Sequence, residues 1–210
     1  MVLTKRETKE KIVDVAIELF NKKGSSKTST RHIAEVMGIS VGNIYYYFKN
    51  KEEIIRRILE RMIVDYDSAM DVETIENGLV DYEQLFTMVF SYHWKYRFFK
   101  KEFITLFNKD KVLGGMFRAI QARKIREIEM MITHQIEIGM AIYMDSKTLN
   151  ALVHNSWILA NYWVTFLEIA GDMNEQRIQE AIEAMMFLIK PYLTAAAVKI
   201  FIDRKTKGFV

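Results

Sequence analysis

Apolar side chains recur every three or four residues along most of the chain, which predicts a succession of amphipathic helices. The first apolar run ends before Gly24 and comprises Ile12, Ala16, Leu19 and Phe20. A second run, from Ile54 to Ile63, predicts one continuous helix after Lys51. An acidic, glycine-containing stretch at residues 71–80 interrupts the pattern. The remainder predicts helices at about 81–99, 100–109, 111–143, 147–171 and 173–201. The pattern therefore predicts an all-α protein, in which Pro191 kinks the last helix.

Residues 29–51, STRHIAEVMGISVGNIYYYFKNK, have the spacing of two short helices joined by a tight turn. Ala34 is small where the first helix must approach the second, and Gly38 permits the left-handed backbone that ends the first helix. Ser40 is a typical N-cap of the second helix. Ile44 is expected to pack against two residues of the first helix, Ile33 and Val36. The segment therefore predicts a helix-turn-helix that binds DNA.

The outward positions of this helix-turn-helix are candidates for contacts with DNA bases. Short polar and planar side chains fit into a major groove and read base edges there. The candidates are Thr30, Arg31, Val41, Gly42, Asn43 and Tyr46. Arg31 and Asn43 are the best candidates for reading bases, and Thr30 and Tyr46 are secondary.

The sequence YYYFKNK at residues 45–51 is dense in phenol and ammonium groups, which suit contacts with phosphate. The expected phosphate contacts are Tyr45, Tyr47 and Lys51. Asn50 and Glu53 have the spacing of a helix cap with its reciprocal carboxylate, which places Lys51 in the first turn of a new helix. A cation there opposes the helix dipole, and a DNA phosphate would compensate it. Taken alone, the aromatic run also fits an ordinary core stripe beside a solvated lysine.

Residues 8–55 resemble the DNA-binding domain of the tetracycline-repressor-like (TetR) family. The resemblance lies in the first apolar run with Gly24, in Ser29–Ala34, and in Gly42–Phe48 with Lys51. It implies an all-helical homodimer whose N-terminal heads bind a two-fold symmetric DNA operator. It also implies a variable C-terminal domain that binds a small ligand and dimerises. His32 departs from the family pattern, which has an acidic residue there, so His32 either forgoes a favourable interaction with the helix N-terminus or adds a contact to DNA.

The charge distribution supports DNA binding independently of the motif. Residues 1–51 contain ten Lys or Arg and five Asp or Glu, a net charge of +5. The other residues contain twenty Lys or Arg and twenty-two Asp or Glu, a net charge of −2. A basic head on a slightly acidic body orients the molecule toward a polyanion. Lys5, Arg6, Lys9 and Lys11 form a basic leading arm that either reaches the DNA or is a frayed, solvated terminus.

Length and composition agree with two helical parts. A helix-turn-helix head at residues 1–51 is followed by a linking helix at about 51–70 and a ligand-binding and dimerisation domain at 71–210. One proline and nine glycines among 210 residues are too few for a turn-rich sandwich or barrel, and the absence of cysteine excludes disulfides and thiolate metal sites. Polar residues interrupt the most apolar stretches, so we expect a cytoplasmic protein without a membrane segment.

The last two predicted helices are apolar on more than one face, which exceeds the single stripe of an ordinary amphipathic helix. Their large apolar residues include Trp157, Ile158, Trp163, Phe166, Met185, Leu188 and Leu193. We expect one face of each helix to pack within the chain and the other to pack against a second copy, giving a homodimer through the last two helices. The alternative is a central position in a monomeric core.

The body is rich in aromatic residues and methionine, which line irregular cavities well. The candidate ligand-binding residues are Phe90, His93, Trp94, Phe98, Phe103, Phe107, Met116, Met131, His154, Trp157 and Asn161. Together they predict a mostly apolar effector, such as a fatty-acyl, aromatic or lipophilic cationic compound. For any single residue, a place in an ordinary core is the alternative.

An enzyme and a helical interaction module are the competing classes of function. His134 and Glu137 are three residues apart on one helical face, but a metal site in a helical bundle needs a second such pair and further carboxylates. No phosphate-binding glycine loop, nucleophile elbow or catalytic carboxylate pair is apparent, so we expect no catalysis, metal or cofactor. An interaction module would explain the body but not the basic head with Thr30, Arg31 and Asn43.

Overall fold

The computed structural model describes residues 4–71, 75–76, 79–172 and 174–199. Its principal helices are α1 (Lys5–Lys23), α2 (Thr30–Met37), α3 (Val41–Tyr47), α4 (Lys51–Asp71), α5 (Tyr82–Lys95), α6 (Arg97–Lys109), α7 (Lys111–Glu137), α8 (Ser146–Ile169) and α9 (Ile178–Ile189). Strands β1 (Ile75–Glu76) and β2 (Leu79–Val80) form a small antiparallel hairpin in the acidic break, with Ile75 opposite Val80. Part of that break, residues 72–74 and 77–78, lies outside the described residues.

Two compact units make up the chain, and each is assembled from two stretches. Unit 1 consists of Met1–Tyr66 and Lys95–Phe117, and unit 2 consists of Asp67–Trp94 and Arg118–Val210. Unit 1 therefore contains the predicted head, most of α4, all of α6 and the first turns of α7. The return of residues 95–117 to the unit of the head was not anticipated from sequence. The sequence-based division into a DNA-binding head at residues 1–51 and a ligand-binding body at residues 71–210 assigns a function to each part, and it stays a prediction.

The core of the head forms where the apolar face of α1 meets α2, which in turn contacts α3. The buried residues of α1 are Ile12, Val13, Ala16, Ile17 and Phe20. Ile33, Ala34 and Ile44 are also buried, as the helix-turn-helix pattern predicts. The expected place of Val36 in this core is wrong: its side chain is 59% exposed, because it lies about half a helical turn from Ala34.

Within unit 1, the start of α6 is held by α1 and α4. The Asn21 amide of α1 donates to the Lys95 carbonyl (2.9 Å) and accepts from the Phe98 N–H (3.0 Å), so it pairs backbone groups on both sides of the α5–α6 break. The sequence predicted this break after residue 99, but α6 begins at Arg97. Asp65 of α4 accepts hydrogen bonds from Lys95 and from the buried Tyr96 hydroxyl (2.6 Å). Burial alone raises the pKa of Asp65, but these hydrogen bonds outweigh it and hold the pKa below its ordinary value.

Unit 2 contains the contact between α8 and α9, and it differs from the predicted helices at two places. Helix α7 ends at Glu137, because Gly139 has a left-handed backbone (φ 73°) and the chain then leaves the helix. The last predicted helix is broken rather than kinked: α9 ends at Ile189, Pro191 lies in a 3-10 turn, and Leu193 is extended. Residues 195–199 are helical again, and residues 200–201 of the predicted helix lie outside the described residues.

Candidate nucleic-acid interface

The first helix of the motif, α2, is capped by a reciprocal pair of hydrogen bonds at Ser29. The Ser29 hydroxyl accepts from the His32 N–H (3.3 Å), and Nδ1 of His32 accepts from the Ser29 N–H (3.2 Å). His32 therefore supplies the acceptor that a glutamate supplies in a capping box. This is a third role, beyond the two expected from sequence. Because Nδ1 accepts, the neutral ring carries its proton on Nε2.

The turn and the second helix have the predicted geometry. Gly38 is left-handed (φ 67°, ψ 29°), and the Ser40 hydroxyl accepts from the Asn43 N–H at 3.2 Å. This cap leaves the side chain of Asn43 exposed at the start of α3, beside the exposed Gly42. The cap and the left-handed turn together orient α3 with its N-terminal residues outward, which is the arrangement of a helix that enters a major groove.

The exposed surface of α2 and α3 brings most of the predicted DNA contacts together. Tyr45 and Tyr46 are 52% and 66% exposed, whereas Tyr47 and Val41 are half-buried. The Thr30 hydroxyl donates to the Tyr45 hydroxyl at 3.3 Å, so these two candidates lie side by side. The exposed Arg31 pairs with Glu35 of the same helix (Nε–Oε1, 3.1 Å). A surface pair of this kind contributes little to stability, so Arg31 can exchange Glu35 for another acceptor.

Lys51 differs from the sequence-based expectation. Its ammonium donates to the Ser25 carbonyl (2.6 Å) and to the Thr28 carbonyl (3.0 Å), in the loop between α1 and α2. Asn50 caps α4 as predicted, accepting from the Glu53 N–H at 2.9 Å. The carbonyl groups supply the compensation that we assigned to a DNA phosphate. The reason for placing Lys51 on a phosphate is therefore removed.

The predicted ligand-binding residues fall into both compact units. Those in unit 1 are Phe98, Phe103, Phe107 and Met116, and those in unit 2 are Phe90, His93, Trp94, Met131, His154, Trp157 and Asn161. In unit 1 the rings of Phe103, Phe107 and Phe117 pack on one another, with centroids 4.6–4.9 Å apart. Phe98 is buried against Phe20 of α1 at 5.0 Å. Phe98 is therefore packed in the core of unit 1, which is the alternative that the sequence left open for any single residue of the set.

In unit 2, Phe90 and His93 are buried in α5, and Trp94, Met131 and Trp157 are half-buried. The buried Asn161 amide donates to the Trp157 carbonyl one turn earlier (3.0 Å). His154 is exposed, with Nδ1 2.9 Å from the Asn150 carbonyl. An exposed side chain does not fit the wall of an enclosed pocket within one chain, so His154 is the weakest member of the predicted set.

The other chemistry considered from sequence gains no support from the geometry. His134 Nδ1 and Glu137 Oε2 are 3.7 Å apart on an exposed face of α7. Among the described residues, no group of three or more His, Asp or Glu is placed to hold a metal ion. In the same part of the chain, no helix is long and apolar enough to cross a membrane.

Two family models match the chain over almost its whole length. The model of the bacterial regulatory proteins of the tetR family matches residues 12–58. The TetR model, described as a bacterial transcriptional repressor, matches residues 53–201, more than half of the chain. The chain belongs to the TetR family. It is thus an all-helical transcriptional regulator with an N-terminal helix-turn-helix domain and a C-terminal helical domain, and regulators of the TetR family are not enzymes.

Curated relatives match only part of this TetR-family chain. The probable regulator YttP of Bacillus subtilis is 36% identical over 89 residues, which cover 41% of this chain and 42% of YttP. The regulator QacR of Staphylococcus aureus is 47% identical over 51 residues, which cover 24% of this chain and 27% of QacR. These matches span less than half of each relative.

Solved structures match the TetR-family chain along nearly all of its length. A TetR-family transcriptional regulator from Marinobacter aquaeolei VT8 has a TM-score of 0.82 at 28% identity, covering 95% of this chain and 98% of that one. A TetR transcription regulator from Haloarcula marismortui has a TM-score of 0.73 at 15% identity, covering 90% and 100%. The second match shows the fold alone.

Proposed function

We propose that this protein is a ligand-responsive repressor that binds a two-fold symmetric DNA operator as a homodimer in the cytoplasm. The observation that carries the proposal is the exposed surface of a correctly capped helix-turn-helix, in which Arg31 and Asn43 are available at the starts of α2 and α3. Two such heads related by a two-fold axis match two half-sites in successive major grooves.

Roles within the interface follow from exposure and chemistry. Arg31 and Asn43 are assigned to base edges, because a guanidinium pairs with guanine and a carboxamide with adenine in the major groove. Thr30 and Tyr46 are secondary base contacts, and Val41 and Gly42 allow close approach of α3. Tyr45 and Tyr47 are assigned to phosphates.

Homodimerisation is proposed through α8 and α9. Three large side chains one turn apart on α8, namely Ile158, Tyr162 and Phe166, are each about half exposed. Phe187 of the adjacent α9 is 72% exposed. A row of exposed aromatic and aliphatic side chains on two packed helices is the surface that an intermolecular four-helix bundle buries.

The effector is proposed to be a mostly apolar small molecule. Two proteins with this fold were solved with small ligands, SmeT with triclosan and a regulator from Saccharomonospora viridis with choline. The residues assigned to the ligand are those of unit 2, namely Phe90, His93, Trp94, Met131, Trp157 and Asn161. To release DNA, a ligand must bind one conformation better than the other by a few kcal/mol.

A lipophilic compound that binds the body is expected to raise the melting temperature and to change operator affinity together. A panel of lipophilic compounds that changes neither the melting temperature nor the operator affinity would contradict the proposed effector.

The DNA-binding proposal is tested by selecting bound fragments from the source genome and measuring the affinity of variants for them. Arg31→Ala is expected to cost about 1–3 kcal/mol on the selected operator and much less on mixed-sequence DNA, because it removes a base contact. Arg118→Ala, an exposed arginine of α7, is the control with the same change of charge. Equal losses from Arg31→Ala on both kinds of DNA would remove its base-reading role. No duplex binding by the wild-type protein would overturn the function.

A further inference from the structure

The head contains an open groove of about 550 Å³ that the helix-turn-helix motif does not explain. Its lining comes from three helices: Lys5, Arg6, Lys9 and Glu10 of α1, Tyr46 and Tyr47 of α3, and Arg57 of α4. The groove therefore joins the beginning of α1 to the C-terminal end of the helix that carries Asn43.

The basic residues of the groove belong to an ordered helix and not to a frayed arm. Thr4 caps α1: its hydroxyl accepts from the Glu7 N–H (3.2 Å), and the Glu7 carboxylate accepts from the Thr4 N–H (2.7 Å). Lys5 and Arg6 consequently lie in the first turn of a formed helix, where a cation is opposed by the helix dipole. An anion bound beside them would remove this unfavourable interaction.

The groove has an excess of positive charge. Its carboxylate, Glu10, is paired with Arg57, and the two charges offset each other. Across the described residues, no carboxylate lies within ion-pairing distance of Lys5, Arg6 or Lys9. Three cations of α1 thus line the groove without an ion-pair partner among the described residues.

Aromatic rings connect two of these cations to α3, the recognition helix, and to the residue that follows it. The ammonium of Lys5 lies 4.6 Å from the centroid of the Tyr46 ring, and that of Lys9 lies 5.2 Å from the Phe48 ring. A hydrogen bond with Tyr46 raises the pKa of Lys5 above its ordinary value. The exposed Tyr46 ring packs edge-on against Tyr47 with centroids 5.0 Å apart. Tyr46 thus contacts both Lys5 and Tyr47.

We propose, resting on the proposed DNA-binding function, that this groove binds a backbone phosphate of the operator and that Lys5 positions Tyr46 on the recognition helix. Lys5 and Lys9 supply the charge, and the Tyr47 hydroxyl supplies a further donor. Tyr46 lies about one helical turn beyond Asn43, so a phosphate in the groove flanks the bases that α3 reads. The beginning of α1 thereby sets how deeply α3 enters the major groove.

The phosphate contact is tested by the salt dependence of binding to a mixed-sequence duplex. Lys5→Gln and Lys9→Gln are each expected to lower the slope of log affinity against log salt by about one, because each removes one cation that neutralises a phosphate. Lys11→Gln is the matched control: it is on the same helix, has the same change of charge and does not line the groove. Slopes that fall equally for Lys11→Gln and the other two would overturn the site in favour of a diffuse charge effect.

The positioning role of Lys5 is tested by a double-mutant cycle with Tyr46 on the selected operator. Tyr46→Leu removes the ring, and Lys5→Gln is then expected to cost less affinity than it costs in the wild-type protein. Tyr46→Phe keeps the ring and is expected to retain most of the effect of Lys5→Gln. Strictly additive losses would show that Lys5 acts without Tyr46.

A free anion is the other source of phosphate for this groove. Backbone amide shifts of Lys5 and Tyr46 are followed by NMR while duplex or inorganic phosphate is added at equal ionic strength. We expect the duplex to shift them at far lower phosphate concentration than the inorganic ion does. Saturation by inorganic phosphate alone would overturn the assignment to DNA. A wild-type protein that binds operator, combined with unchanged Lys5→Gln and Lys9→Gln slopes, would refute the groove while leaving the proposed function intact.

Discussion

At the scale of single residues, the sequence described the chemistry of two side chains correctly, but the structure gives them other partners than we expected. Lys51 is a cation in the first turn of α4, as expected, but its partners are the carbonyls of Ser25 and Thr28, and both residues are buried. His32 takes the place of an acidic capping residue through Nδ1. Both cases obey the rule that charged and polar groups near helix ends find a partner.

For Lys51 we predict a loss of stability and not of phosphate contact. Lys51→Met keeps an apolar stem but removes the charged donor from two part-buried carbonyls, of which that of Ser25 keeps a hydrogen bond from the Thr28 N–H (3.3 Å). The free energy of unfolding should therefore fall by about 1–3 kcal/mol. The slope of affinity against salt should not change. Lys49→Met, at an exposed neighbouring position, is the control and should leave stability nearly unchanged. Denaturant unfolding and anisotropy titrations check both quantities. If the slope of log affinity against log salt fell by about one while stability stayed unchanged, a contact between Lys51 and a DNA phosphate would be supported instead.

At the scale of elements, helix starts follow from local chemistry better than helix ends do. Caps at Thr4, Ser29, Ser40 and Asp145 mark the starts of α1, α2, α3 and α8. The segments that follow α7 and α9 are joined by a distant pairing: the Ile142 N–H donates to the Tyr192 carbonyl (2.8 Å), and the Thr194 N–H donates to the Met140 carbonyl (3.0 Å). This pairing holds both segments in a non-helical conformation.

Replacing each of two glycines with alanine is expected to change the stability of the protein in opposite directions. Gly139→Ala is expected to destabilise the protein by about 1–2 kcal/mol, because φ is +73° although no atom obstructs the added methyl group. Gly42→Ala, inside α3 and with its nearest neighbour 3.7 Å from the added carbon, should stabilise by up to about 1 kcal/mol. Thermal unfolding of both variants measures the difference. Equal effects would show that backbone conformation is not the deciding factor.

At the scale of the whole molecule, the distribution of charge and apolar surface supports the proposed dimer that binds DNA. The excess of positive charge lies in the head, while exposed aromatic residues lie on α8 and α9. Ala196 and Ala197, which sequence analysis placed in the last helix, are not equivalent: Ala197 is buried within its own chain, and Ala196 is exposed. A charge at Ala197 would therefore disturb the fold before it disturbed association.

The dimer is better tested on the exposed aromatic residues. Phe166→Glu and Phe187→Glu each place a carboxylate in the proposed seam and should weaken association by several kcal/mol, because the charge must be desolvated. Met130→Glu, at a similarly exposed apolar position on α7, should leave association unchanged. Sedimentation velocity measures the dissociation, and circular dichroism confirms that the chains fold. Full dimerisation of both Phe variants would place the seam elsewhere.

The sequence by itself determined the helical class, the helix-turn-helix and the exposed positions of Arg31, Asn43 and Tyr46 on it. These features follow from local rules: an apolar period of 3.6 residues, a hydroxyl cap at Ser40, and a left-handed glycine at Gly38. The excess of positive charge in the head was also countable without a structure. Local periodicity is sufficient here because helix formation and capping involve residues at most four positions apart.

The tertiary structure alone decided which side chains meet across large separations in sequence. The return of α6 to the unit of the head, the partners of Lys51, the contact of Lys5 with Tyr46 and the break after Ile189 all join residues at least twenty positions apart. It also divided the predicted ligand residues between two units and placed Phe98 in a packed core. Composition and periodicity report that a side chain is apolar or charged, but the partner that satisfies it is set by how the helices pack.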